Sequence, residues 1–538
     1  MATCTHLDQI KLVKPHSNGC ADCIALGDPW VHLRMCRTCG YVGCCDESKN
    51  KHASRHFQQS RHPIVKSFEP GEDWSWCYLD EIYLEPGSVP PEQLKVSQKS
   101  RDVIRNYLII AGLYTLSTSI IWGVNTLFLL NAGLDIFGVF VANSVFTGSM
   151  ALFEIPTGVL ADTRGRRASF LLSVVIVLLG TLGYVGVAAA GGSLLLFSLV
   201  SVALGLGYTF YSGAMEAWLV DALEATGHEG QLDRVFAYGS IVSGGAMLVG
   251  SIAGGLLGSL DLSIPFLARA GLLAAVYGIA HFSMHDLGFT PRAMELAELP
   301  AEMKKIARAS VAFGWQRYPV RLLIMAGFIQ GIFMAWGFYA WQPYFLDLLG
   351  QDLPWVAGVI AALIAGATMA GNFIVEWFTR FCGKRTTLLL WAAGVQTVAA
   401  VGVGLAGSFW LAVVLYLVVM AGMGVWGPVR QAYMHQVIPS EQRASVISFD
   451  SLVASGGSVF GQMGLGRLAQ TQSIASGYVV GGLTTVLVLP VILVLRRLRE
   501  PADTIVGTAG KQGACAAQGL PNVSAVDTMP HGVTAAEA

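Results

Sequence analysis

Charge is what this chain has least of. Only 13% of its 538 residues are Asp, Glu, Lys or Arg, against roughly 25% in a soluble globular domain, and the mean hydropathy is +0.55. That scarcity excludes an ordinary soluble enzyme and leaves a membrane protein. Net charge is -1, so no global field argues for a nucleic-acid partner. A phosphate loop, a nucleotide motif and a catalytic triad are also missing from the sequence, which argues against ATP-driven transport and against an enzyme. The opening stretch MATCTHLDQIKLVKPHSNGC lacks an apolar core of the about 7–15 residues that a secretory signal needs. The head is therefore expected in the reducing cytosol. Cysteine is rare beyond residue 77, where Cys382 and Cys515 stand alone.

What is present divides by region. Eight of the ten cysteines lie in the first 77 residues, interleaved with histidines. In a reducing compartment C-x-x-C pairs with histidines favour zinc over disulfides, because thiolate and neutral imidazole are the ligands Zn²⁺ prefers. Cys4, His6, Cys20, Cys23, Cys36, Cys39, Cys44, His52, His56, His62 and Cys77 are the candidate ligands, with Asp80 as an oxygen-donor twelfth. Twelve ligands fill three tetrahedral sites, so three zinc ions are expected.

These spacings, C-x-H, C-x-x-C, C-x-x-C-x4-C-x7-H-x3-H-x5-H and a closing WCY, resemble the UBP-type zinc finger over about residues 3–85. The resemblance implies a small α+β, cross-braced domain in which Cys20, Cys23, Cys44 and His52 share one zinc and Cys36, Cys39, His56 and His62 a second. Cys4, His6, Cys77 and Asp80 would share the third, and Cys45 is left as a spare thiol. That family grips the C-terminal carboxylate of ubiquitin with an arginine and aromatics. Trp76, Tyr78 and Tyr83 match the aromatics, whereas Cys45-Asp46 stands where the arginine is expected. A carboxylate beside Asp46 meets like-charge repulsion, so some other peptide or small ligand is as suitable an occupant.

Residues 86–106 carry prolines without an apolar face and read as an exposed linker. From residue 107 the chain repeats apolar segments of about 20 to 27 residues, twelve in all, from 107–130 to 474–495. In lipid they have to be helices. Arg164, Arg166 and Arg167, then Lys304, Lys305 and Arg308, Lys384 and Arg385, and Arg496, Arg497 and Arg499 lie in alternate joints, while NAGLD, AAGGS, SLDLS and LLGQDLP hold no Lys or Arg. The positive-inside rule then puts both termini in the cytoplasm of a multi-pass cell-membrane protein.

The apolar part is duplicated. Segments 1–6 (residues 107–287) and 7–12 (residues 321–498) flank a polar loop at 288–320, and Gly165-Arg166-Arg167 is echoed by Gly383-Lys384-Arg385. Two six-helix halves point to a transporter with its site between them. The decamer GVLADTRGRR, Gly158 to Arg167, resembles motif A of the major facilitator superfamily, over about residues 105–498. The resemblance implies a twelve-helix, mainly α fold. Gly158, Asp162, Gly165, Arg166 and Arg167 would act in gating, with Asp162 facing helix 11 near Ala444 and Ser445 and Arg166 pairing with Asp221. It also implies proton-coupled efflux of an amphipathic organic molecule.

Glu154, Glu216, Arg430 and Asp450 are ionisable groups one to three turns inside the Lys/Arg-rich ends. Charges at that depth are costly enough to need water, partners or a role, so they are the candidates for proton coupling, and Glu216 with Arg430 for a gate. Asn125, Gln330, Trp336, Trp341, Gln342 and Tyr344 offer an amide and aromatic wall for substrate. A tail at 499–538, rich in Gly, Ala and Thr, reads as disordered. Two other function classes stay open: a membrane sensor or receptor, and an adaptor whose zinc finger captures a peptide C-terminus.

Overall fold

The computed structural model describes residues 4–6, 9–10, 13, 15–72, 74–84, 91–228, 230–289, 311, 314–379, 382–439 and 442–505, with backbone alone at 91–98 and 444–445. The head is built from α1 (Ala21–Leu26), β1 (Leu33–Cys36), β2 (Val42–Cys44), α2 (His52–Ser60), β3 (Ile64–Ser67), β4 (Ser75–Cys77) and β5 (Ile82–Leu84). The strands form one antiparallel sheet in the order β2-β1-β3-β4-β5. Its register sets Cys36 opposite Val65, Val65 opposite Trp76 and Trp76 opposite Tyr83. Because strand side chains alternate, Arg34 joins this row on one face. Met35, Ile64, Cys77 and Leu84 are buried. Helix α2 lies hard against β2, and a Cβ on Gly43 would stand 2.6 Å from the Ala53 backbone nitrogen.

The rest is helical. The first half comprises α3 (Pro91–Ser119), α4 (Asn125–Asn131), α5 (Ile136–Arg164), α6 (Arg166–Ala189), α7 (Leu194–Ser212), α8 (Ala214–Ala225), α9 (Leu232–Gly258) and α10 (Ile264–Ser283). The second has α11 (Tyr318–Leu349), α12 (Pro354–Thr379), α13 (Arg385–Leu405), α14 (Phe409–Val437), α15 (Arg443–Thr471), α16 (Ile474–Thr485) and α17 (Val488–Arg497). Among the described residues, 10 spans are long and apolar enough to cross a membrane. The two other expected segments correspond to α3 with α4 and to α15, which carries Arg443, Asp450, Gln462 and Arg467.

Two expected boundaries shift. The linker at 86–106 is helical from Pro91 onward, because a proline in the first helical turn loses no hydrogen bond and EQLK-type residues favour helix. Residues 499–505, drawn as the start of the tail, are folded. Pro501–Asp503 form a 3₁₀ turn, and the buried Asp503 carboxylate accepts from the Thr386 backbone nitrogen at 2.8 Å and from its hydroxyl at 2.9 Å. Asp503 thereby satisfies orphan donors at the start of α13. Residues 506–538 and most of the 288–320 loop lie outside the described residues.

Small residues let the helices approach closely, as membrane packing requires. A Cβ on Gly461 would stand 1.8 Å from the Ile332 carbonyl oxygen of α11, and one on Gly255 2.6 Å from the Gly358 Cα of α12. The halves are joined at the ends opposite the Lys/Arg-rich joints. Gln342 accepts from the Thr126 nitrogen at 2.8 Å and donates to the Trp122 carbonyl at 2.8 Å, and Gln470 accepts from the Phe137 nitrogen at 3.3 Å. Trp355 donates its backbone N–H to Ser259 at 3.1 Å at the same level. A bond between Gln462 and Thr147, 3.1 Å, lies near mid-depth.

Candidate transport cavity and metal centres

In the head twelve donors, carried on α1, β1, β2, α2, β4 and the segments beside them, come together in three groups, each with its donor atoms within 4.8 Å of one another: Cys20, Cys23, Cys44 and His52; Cys36, Cys39, His56 and His62; Cys4, His6, Cys77 and Asp80. Cys20 caps α1 and Cys23 sits in its first turn. His52 and His56, one turn apart on α2, face different groups. Zinc bonds of about 2.0–2.3 Å set tetrahedral edges of about 3.3–3.8 Å. The Cys23 and Cys44 sulfurs are 3.6 Å apart, and His52 Nδ1 lies 3.2, 3.3 and 3.5 Å from the sulfurs of Cys20, Cys23 and Cys44. Cys39 lies 3.2 Å from His56 Nε2. His62 Nδ1 is buried with no hydrogen-bond partner, an orphan that a metal would satisfy.

Burial pushes the Cys23 and Cys4 thiols up to about 12 and Cys36 up to about 11. A bound divalent ion would act in the opposite direction, by stabilising the thiolates. Asp80 is placed differently. The Thr5 backbone N–H, at 2.9 Å, holds its carboxyl below the usual carboxylate range, helped by Cys4 and His6. His6 Nδ1 is 2.9 Å from Asp80, a hydrogen-bond distance shorter than a tetrahedral edge.

Beside the metal groups is a pocket of about 440 Å³ lined by Trp76, Tyr78 and Tyr83, with Asp46, Cys45 and Trp74. The three expected aromatics therefore meet in one place. The sequence pattern missed its base: Arg34, from the face of β1 that carries the aromatic row, lies 4.5 Å from the Trp74 ring centroid and lines the pocket. Strand alternation would have found it.

Between the halves lie two adjoining cavities. One, of about 270 Å³, is lined by Asn125, Asn143, Tyr208 and Arg269 together with Phe338 and Tyr339 of the second half. The other, of about 300 Å³, is apolar and bordered by Trp341 and the methionines at 247, 334, 420 and 423. Trp122 and Phe338 line both. Of the expected substrate wall, Asn125 and Trp341 reach these cavities. Gln330 instead donates to Gln396 at 2.9 Å, and Trp336 is buried against Tyr478. Gln342 ties the halves together, as above, and the Tyr344 hydroxyl donates to the Val403 carbonyl at 3.0 Å. These four sit on faces of α11 turned to neighbouring helices, a distinction composition could not make. Arg269 was not in the expected set, although a lone arginine inside PFLARAGLLAAV carries the same signal as Glu154.

At the Lys/Arg-rich ends, Arg166 meets Asp162 at 2.5 Å and Asp221 at 3.6 Å. Gly165 has φ +107, and a Cβ there would stand 2.7 Å from Asp286, whose carboxylate accepts from the Arg167 nitrogen at 2.8 Å. Gly158 has open space at its Cβ position, so no close approach requires that glycine. The Ala444 and Ser445 side chains lie outside the described residues. Glu154 and Glu216 are exposed. Arg430 pairs with Asp450 of its own half and donates to the Leu323 carbonyl at 3.0 Å.

The Major Facilitator Superfamily model matches residues 107–461. The chain belongs to that superfamily. A second family model, the zinc finger in ubiquitin-hydrolases and other proteins, matches residues 20–88. The superfamily part is 25% identical over 356 residues to the tetracycline resistance protein, class G, of Vibrio anguillarum, covering 65% of this chain and 86% of that protein. It is 21% identical over 372 residues to the uncharacterized transporter YxaM of Bacillus subtilis, covering 68% of this chain and 89% of the relative. The head is 32% identical over 90 residues to ubiquitin carboxyl-terminal hydrolase 44 of Ailuropoda melanoleuca, covering 16% of this chain and 12% of that protein's length. The fold is that of solved transporters: the nucleoside transporter NupG superposes with a TM-score of 0.61 at 11% identity, over 73% of this chain and 98% of that one.

Proposed function

We propose that this superfamily member is a proton-coupled secondary transporter that exports an amphipathic organic molecule, with a cytoplasmic zinc head that regulates it or recruits a partner. The observation that carries this is the pair of cavities between the halves, one with amide, phenol and guanidinium groups in a largely apolar wall and one apolar throughout, sharing Trp122 and Phe338. The efflux direction draws on the likeness to a tetracycline resistance protein. In this reading the Lys/Arg-rich ends and both termini face the cytoplasm of the cell.

A conformer sealed at the opposite ends then presents its cavity to the cytoplasm, the loading side of an exporter. In this reading the exposed carboxylates Glu154 and Glu216, toward the Lys/Arg-rich ends, exchange protons. The motif cluster of Asp162, Arg166 and Asp221 shuts that mouth in the alternate state. Arg430 with Asp450 either joins Glu216 as the gate or braces the second half. The head, residues 1–85, holds three zinc ions by the twelve named ligands, and residues 107–287 and 321–498 act as the two transporter halves, with a polar cytoplasmic loop at 288–320 between them. Flux of a panel of amphipathic compounds from proteoliposomes, with and without a pH gradient, tests the proposal. Efflux accelerated by outside acidity supports it, and indifference to the gradient for every transported compound rejects proton coupling.

A second reading rests on the head's pocket. Arg34 beside Trp74, Trp76 and Tyr83 supplies a base and aromatic walls for a peptide C-terminus, so the chain would act as an adaptor or sensor. Specific capture of C-terminal peptides by the full-length protein, with no flux of any compound, favours that reading.

A further inference from the structure

Arg269 is the least accommodated charge in the membrane part. It lies on α10, five residues past Ile264 and toward the end opposite the Lys/Arg-rich joints, and it is 2% exposed. Its Nη2 donates to the Tyr208 hydroxyl at 2.8 Å, while its Nε is buried with no partner. Among the described residues no carboxylate forms an ion pair with it. Arg430, at the other end of the molecule, has both Asp450 and a backbone carbonyl. A buried lysine escapes such a position by losing its proton, but a guanidinium does not. Burying it without a counter-charge is costly.

The same cavity holds a second orphan. Asn143, also buried, has an Nδ2 with no partner, and its Oδ1 lies 3.5 Å from the Asn125 amide nitrogen. The unsatisfied groups are therefore donors, and what they lack is an acceptor. The neighbouring cavity holds no charged side chain and carries four methionines, flexible thioethers that fit varied apolar shapes.

We propose that the cargo is an organic anion whose acid group seats on Arg269 and Asn143, and whose apolar or aromatic body extends past Trp122 and Phe338 into the methionine-lined cavity. A carboxylate, a sulfonate or a phosphate monoester all offer the paired oxygens that a guanidinium fork binds. The inference rests on the transporter reading and adds the charge and orientation of the cargo.

The test uses the full-length protein with ring-matched probes: naphthalene-2-sulfonate, naphthalene-2-carboxylate and 2-naphthyl phosphate as anions, naphthalene-2-sulfonamide as the neutral form and 2-naphthylmethylammonium as the cation. The sulfonate stays ionised and does not leak as a neutral acid. Calorimetric binding in detergent and flux in proteoliposomes are both measured. Wild type is expected to bind at least one anion at least tenfold more tightly than the sulfonamide or the cation, and the ranking of the three anions identifies the head group. Arg269→Gln should remove that preference, so that no anion binds more tightly than the sulfonamide, while the midpoint of thermal unfolding stays within a few degrees. Arg269→Lys should retain part of it, and Asn143→Leu should weaken the anion by a smaller factor. Equal binding of neutral and anionic probes by wild type overturns the proposal, as does an anion preference that survives Arg269→Gln. Anion binding without flux of any probe keeps this site and rejects the transporter reading. Flux confined to the neutral or cationic probes does the reverse.

Discussion

Gly43 is not a metal ligand, yet replacing it with alanine is expected to loosen two of the three metal groups. An added Cβ would stand 2.6 Å from the Ala53 nitrogen, 2.9 Å from the Ala53 Cα and 2.9 Å from the His52 carbonyl carbon. All three are backbone atoms, so no side-chain rotation relieves the contact. Restoring ordinary contact needs a separation larger by about 0.8 Å, which pushes the start of α2 away from β2. That displacement is several times the tolerance of about 0.2 Å in metal-ligand distances. Helix α2 carries His52 to one group and His56 to another, so both groups are strained together. Overpacking of this kind costs about 1–3 kcal/mol, equivalent to roughly 5- to 150-fold in zinc affinity. Competition against a chromophoric chelator, with the full-length protein, should show two zinc ions leaving more readily and the third, held by Cys4, His6, Cys77 and Asp80, unchanged. Wild-type release of all three ions from Gly43→Ala would refute the coupling of α2 to the metal groups.

Metal analysis of the purified chain should give three zinc ions, and Asp80→Ala should reduce the count to two; a wild-type count of two removes Asp80 and its partners from the ligand set. Asp503→Ala strands the donors of Thr386 at the start of α13 and should cost about 1–3 kcal/mol, seen as a lower midpoint of thermal unfolding in detergent. Asp450→Asn leaves the mostly buried Arg430 without its counter-charge and should cost about 3 kcal/mol, whereas an unchanged midpoint would mark the pair as functional without being structural. Glu154→Gln should leave counterflow of a transported compound intact while abolishing gradient-driven flux, and unimpaired uphill flux moves the proton site elsewhere.

Local chemistry was legible from the sequence, and three-dimensional facing was not. The twelve head donors were legible as ligands from their residue types and C-x-x-C spacing, and they fall into the three groups that the resemblance to the UBP-type zinc finger implied. Motif A was equally legible, since Gly165 needs a positive φ that favours glycine, and Arg166 reaches Asp162 one turn away. Apolar segment length gave the twelve helical segments, α15 among them, but not the breaks between α3 and α4, α7 and α8, and α16 and α17. Of the five wall residues assigned to α11, Trp341 alone lines the two cavities. Amides and aromatics on one helix say nothing about which neighbour each side chain meets, so Gln330 and Trp336 turned out to serve packing. Arg34 and Arg269 share a different cause. Each stands far in sequence from the groups it joins, and only the strand register in one case and the helix bundle in the other brings them together.

The central claim is that outward movement of cargo is exchanged for inward movement of protons. It is tested most directly by loading proteoliposomes with a transported compound and an internal pH indicator, then diluting them into compound-free buffer. Net efflux through the wild-type protein should acidify the lumen at a rate proportional to flux, and Glu154→Gln should release no pH signal. Efflux at the wild-type rate with a constant internal pH would contradict the account.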